Sequence, residues 1–352
     1  MFWHFLDFEI YLVMYQNNAY FRNKITFLNI VLTFMIVVLH AKSPERFGMQ
    51  VEDYPVINAI SMFCRVATPL FFFVSSLLFF KGCTFDDLER KYKSRIHSLL
   101  VPYILWNIIF VAIFFVLAHV PVFASKMHLG SILNSPKEII MAILNSYHTD
   151  LWFVKNLMFY SLLAPVFLIL FRNKRLSFFF LILLLAIAVL LEPEYKSMLR
   201  WAPIYQMGAM CGYYWNDQFV GPFLYGKHSR IFIFGAIIIL IGTYLLSLWK
   251  NSDIYIIYTS PLLIWVIVDG TLYKAIKNLK IKQWMSFMFF VFCTHHFLLN
   301  VLQKIIVLCC EPSRSVIFLT YILSPIICVL ILIKIAEVFS RYRFYKVLTG
   351  GR

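Results

Sequence analysis

Of the 352 residues, 61% are apolar with tyrosine counted, only 14% are charged, and mean hydropathy is +0.78, where soluble domains run at about 45–50% apolar. That composition excludes soluble, collagenous, disordered and coiled-coil classes and leaves an all-α polytopic membrane bundle. The net charge of +15, from 32 Lys and Arg against 17 acids, sits in short gaps between apolar runs, so it reads as membrane topology rather than nucleic-acid binding. The seven cysteines lie mostly within or beside apolar runs and include no CxxC, so neither a disulfide framework nor a zinc site is expected.

The first apolar stretch, residues 2–14, carries Asp7 and Glu9, lacks a basic start, and shows no small-residue cleavage signal before Gln16, Asn17 and Asn18. It reads as an interfacial segment, residues 1–24, or as an over-long start with Met14 as the initiator, and not as a signal peptide. Ten transmembrane helices are predicted near 25–41, 56–80, 97–118, 151–171, 176–191, 202–215, 231–249, 254–269, 285–308 and 316–339, the sixth of them short. One membrane domain, 25–340, is expected, followed by a basic cytoplasmic tail, 341–352. The gaps at 22–24, 81–95, 172–175, 227–230, 274–282 and 341–352 hold 20 Lys and Arg, and the gaps of the opposite side hold 8, including the long loop 119–150. The basic side is therefore expected to be cytoplasmic, with both termini there.

Four basic residues, Arg65, Lys155, Lys304 and Lys334, fall inside these spans, where a central charge costs about 2.5–3.5 kcal/mol on insertion scales. Lys304 and Lys334 lie near helix ends and can snorkel. Arg65 shares a polar side with Asn58, Ser61, Thr68, Ser75 and Ser76; it reads either as a forked ligand for phosphate or carboxylate or as a tie between helices. Lys155 follows Trp152 and Phe153, which alone would be an interfacial aromatic belt. In the first span Thr26, Asn29, Thr33 and His40 share one face. His40 reads as an interfacial residue or as a base for a hydroxyl. His295 and His296 point about 100° apart, so one of them is expected to face a given cavity. No HExxH accompanies them, and neighbours at i,i+1 chelate poorly from a helix, so no metal is expected.

Taken in order, VVLHA (37–41), RVATPLFFFVSSLLFF (65–80), RIHSLLVPYILW (95–106), LWFVKNL (151–157), PIYQMGAMCGYY (203–214) and FCTHHFLL (292–299) resemble the integral-membrane acyltransferase 3 family, from about residue 22 to the C-terminus. Its members are bacterial O-acetyltransferases of surface and envelope polysaccharides. The resemblance implies His40 as the catalytic residue, with Arg65, Lys155, His295, Asn29 and Arg95 binding substrate or acyl donor. It also implies acetyl-CoA as donor substrate with no bound cofactor, a glycan or lipid-linked sugar as acceptor, and residence in the bacterial inner membrane among lipid. A second protein completes the reaction if the family's two-part arrangement applies.

Two departures stand out. Asn29 occupies the position, eleven before the histidine, where the family often has Arg, and Ser75-Ser76 replaces a Ser-Gly, costing a close-approach glycine. The implied chemistry has the donor phosphates near Arg90–Arg95, the thioester passing Arg65, and His40 and Arg65 lining one chamber, with Lys155 or a polar group of the 285–308 helix steadying the oxyanion. A transporter or flippase for a sugar-linked or small anionic solute is the competing class, because intramembrane Arg, Lys and His also mark permeation paths. A purely structural or sensory subunit is the third.

Overall fold

A computed structural model describes the backbone of residues 2–118, 135–145, 149–222 and 229–351, and side chains from Asn18 onward within those stretches. Lys126, Lys227, Arg352 and most of the 119–150 loop lie outside the described residues. Among those described, every regular element is helical, and eight helices are long and apolar enough to cross a membrane. A ninth candidate is the pair Trp152–Leu162 and Ala164–Phe171, bent by 53°. Pro165 causes the bend: it has no N–H for the carbonyl of Ser161, and its ring crowds that carbonyl. Each of the ten predicted stretches is helical. The short sixth is Met198–Tyr214, whose 17 residues span about 25 Å against a core of about 30 Å.

The first helix, α1, runs Phe2–Leu39 without interruption. Lys24, which the charge count places in a loop, lies inside it and is fully buried. The second predicted span is two helices, α2 (Pro55–Cys64) and α3 (Ala67–Phe80). Pro69 forces the break, because the residue four before it is Arg65, whose carbonyl a continuous helix would drive into the proline ring. The polar set of that span therefore divides. The third predicted span begins earlier than expected, at Leu88, and contains a π-helical turn over Ile96–Leu100 just before Pro102.

The bundle is tightest where Met198–Tyr214, α4, crosses α3. A β-carbon on Gly208 would collide with Ser76 Oγ and the Phe73 carbonyl, and one on Gly212 with the Leu77 carbonyl. A Gly-xxx-Gly face of this kind lets two backbones approach closely in a bilayer. The missing glycine at Ser76 is thus made good from the opposite helix: Ser76 is buried, and its hydroxyl donates back to the Phe73 carbonyl at 3.0 Å. Phe72 and Trp201 stack at 5.4 Å beside this crossing. By contrast Lys174–Leu191 and the helix Ser229–Lys250 expose Phe179, Leu190, Ile231, Phe232 and Phe234, as helices facing lipid do.

Candidate active site

His40 follows the last residue of α1, where the helix dipole favours a positive charge. Its Nδ1 lies 2.8 Å from the Ile36 carbonyl and its Nε2 3.3 Å from Asp150 Oδ1. A carbonyl can only accept, so Nδ1 is the protonated nitrogen of the neutral ring, and Nε2 is the nitrogen that gains a proton. Once it does, the imidazolium donates to the Ile36 carbonyl through Nδ1 and forms an ion pair with the Asp150 carboxylate 3.3 Å from Nε2. Asp150 comes from the short turn Thr149–Leu151 ahead of the helix Trp152–Leu162, α5. Burial opposes ionisation of its carboxyl, but the positive charge that His40 carries when protonated, the His296 hydrogen bond and the charges His295 and His296 carry when protonated outweigh burial and hold it below the usual carboxylate range.

Both histidines of the helix Met288–Cys309, α6, meet this pair. His295 is fully buried; its Nδ1 donates to the Phe292 carbonyl at 2.8 Å, which leaves Nε2 as an acceptor 3.4 Å from His40 Nδ1. His296 Nδ1 lies 3.2 Å from Asp150. The ring centroids of His295 and His296 are 5.0 and 5.1 Å from that of His40. One of the two is expected to face a given cavity; neither lines the two cavities beside the site, yet the rings diverge around the helix and Asp150 with His40 reaches both. The ligand atoms of His40, Asp150 and His295 lie within 4.8 Å of one another, so this set is chemically competent for a small divalent cation as well as for proton transfer.

His40 and Asp150 border a cavity of about 50 Å³ with Thr68, Trp152 and Tyr195. The hydroxyls of Thr68 and Tyr195 are 3.0 Å apart. A second cavity, of about 390 Å³, is lined by Thr26, Asn29 and Thr33 of α1 together with Ser75, Ser286 and Arg95 in an otherwise apolar wall. Arg95 donates to the Ser75 carbonyl at 3.1 Å and lies 5.2 Å over the Phe79 ring. Its guanidinium supplies, from the residue just before the π-helical turn, a positive charge in the cavity where Asn29 has none.

Two of the sequence-chosen residues fall elsewhere. Arg65 lines neither cavity; at the α2–α3 break it contacts Asp253 at 3.2 Å, and Asp253 also binds the buried Arg200. The tie between helices, not the forked ligand, is what its surroundings show, and neither of these two cavities is shared by His40 and Arg65. Lys155 is half-buried and lines neither cavity. Asp150, the partner that sequence reasoning missed, had one signal: it is the acid directly before LWF at the start of an apolar helix.

The arrangement defines a multi-pass membrane protein with a histidine–carboxylate centre at one end of its first helix. A family model described as an acyltransferase domain, that of the acyltransferase 3 family, matches residues 22–334, and the chain belongs to this family. No curated protein and no solved structure matches it.

Proposed function

We propose that the protein is an O-acyltransferase of the bacterial inner membrane that moves an acetyl group from acetyl-CoA to a hydroxyl of an envelope or exported polysaccharide. The observation that carries this reading is the His40–Asp150 pair at 3.3 Å, bordering a small cavity that adjoins the larger one holding Arg95. The excess of basic residues in the gaps on the Arg95 side supports a cytoplasmic donor entry there.

The donor thioester occupies the larger cavity, with its phosphates at the basic stretch around Arg90–Arg95. The acceptor hydroxyl approaches from the His40 end and gives its proton to Nε2, and Asp150 stabilises the imidazolium that forms. The acceptor oxygen bonds to the acyl carbon as the carbon–sulfur bond breaks, and the proton held on His40 passes to the departing thiolate, giving ester and CoA thiol. The oxyanion is steadied by the hydroxyls of Thr68 and Tyr195, which border the small cavity where Lys155 does not.

Mass spectrometry of envelope glycans tests the proposal in cells with the protein, without it, and with His40→Ala. Ester-linked acetyl should vanish in the last two, since a general base contributes about 10²–10⁴-fold in rate. An unchanged glycan profile for His40→Ala would remove the base from the mechanism.

A further inference from the structure

Three phenylalanines border both cavities: Phe71 of α3, Phe153 of α5 and Phe292 of α6. Their rings form a chain, with Phe71 and Phe153 at 5.8 Å and Phe153 and Phe292 at 6.0 Å, and Phe292 lies 6.2 Å from the ring of His295. All three are half-buried, as side chains that divide two spaces must be. On one side of them lies a chamber of about 390 Å³ with a guanidinium; on the other lies about 50 Å³ with the imidazole and carboxylate. By volume the smaller chamber is about an eighth of the larger, so of the two it is the one with room for only a short acyl group beside the attacking oxygen.

We infer that Phe71, Phe153 and Phe292 form an aromatic partition that limits the transferred acyl group to about two carbons. The inference rests on the acyltransfer reading above and adds the residues that set its donor specificity. The larger cavity is too roomy to discriminate: its apolar wall accepts an acyl chain of several carbons. Discrimination falls on the partition, because the acyl carbon must come within reach of His40 while any additional methylenes would have to overlap a ring. The walls of the smaller chamber are dense aromatic packing, with Phe153 also 4.6 Å from Phe72 and 6.3 Å from Trp152. Such packing yields little to added volume. Phe71 is the position to shorten, since it borders both cavities and its loss leaves the packing of Phe153 on Phe72 and Trp152 in place.

The test uses detergent-permeabilised membranes from cells that express the full chain and hold its own acceptor, supplied with deuterated acetyl-CoA, deuterated butyryl-CoA or deuterated hexanoyl-CoA. Base-labile deuterated esters are counted by mass spectrometry against membranes lacking the protein. Wild-type protein should favour acetyl over hexanoyl by about 100-fold or more, and Phe71→Ala should lower that preference by about tenfold or more through a gain in hexanoyl ester. Phe71→Leu, which keeps more of the packing, should gain butyryl transfer and little hexanoyl, and melting of each purified variant reports its folding. A wild type that transfers hexanoyl as readily as acetyl, or folded variants with the wild-type ratio, would overturn the partition while leaving the transferase standing. Absence of label from every thioester in wild-type membranes would instead sink the transferase reading, and the partition with it.

Discussion

Two ionic clusters sit along α1, one past its middle and one at its C-terminal end, about 24 Å apart along its axis, and they differ in one respect that matters. Within the helix, Lys24 meets Asp269 at 2.6 Å with both side chains fully buried, Tyr20 donates to the same carboxylate, and the ammonium lies 3.3 Å over the Trp265 ring. None of the four borders either of the cavities at the candidate site. At the far end His40 and His296 keep 24% and 32% of their side-chain surface, and a chamber opens beside His40 and Asp150. Buried charge in a membrane protein therefore does not by itself mark a site. The sealed cluster balances one base against one acid and holds helices together; the open one sets three imidazoles around one carboxylate where a reactant can reach them.

The largest effect expected from this contrast is on folding. Lys24→Met strands the Asp269 carboxylate and should destabilise the protein by about 3–5 kcal/mol, whereas removing the whole cluster by Tyr20→Phe, Lys24→Met and Asp269→Leu together should restore most of that loss. Thermal or denaturant melting in detergent reads both, and a triple variant no better than the single would end the structural account of this cluster.

Asp150→Asn should do the reverse, leaving melting near wild type while acetyl transfer falls by about 10²-fold, because the imidazolium loses its counter-charge. In the same assay a strong chelator should leave wild-type transfer intact; loss of transfer that added Zn²⁺ restores would assign His40, Asp150 and His295 to metal ligation instead.

A smaller effect is expected away from the chemistry. Arg95→Gln should raise the KM for acetyl-CoA by about tenfold with a lesser change in kcat, the pattern of a lost binding charge. Steady-state kinetics with varied donor shows it; a fall confined to kcat would place Arg95 in the reaction rather than in binding.

Lys155→Ala sharpens the comparison from its weak side. It lies outside both cavities, so transfer should stay within about threefold of wild type, as for substitutions remote from a site. A hundredfold loss would return Lys155 to the oxyanion role that the sequence suggested.

How much of the site was legible depended on whether its parts lie on one helix. The stripe Thr26, Asn29, Thr33 and His40 follows from helical spacing and reaches the two cavities in order along α1. Asp150 precedes its helix and stands 110 residues from His40 in sequence, where no periodicity connects them. Counting charges by gap assigned Lys24 to a loop, since the rule has no knowledge of a carboxylate 245 residues away that neutralises it. Spacing along a continuous helix puts Arg65 on the polar side of its span, but it stands at the interruption before Pro69, and its contact with Asp253 depends on a residue 188 positions away.

The amino-acid sequence alone determined the helical membrane bundle, the positions of its apolar stretches, the family and the histidine at the end of the first span. These are properties of local hydropathy, helical period and motif order, which each segment carries within itself. Only the tertiary structure decided that Asp150 is the partner of His40, that both His295 and His296 converge on it, and that Arg65 and Lys24 serve the scaffold. Those pairings are set by which helix faces pack against which, and the energy that selects them, close packing with every buried charge matched, exists only after the helices have come together.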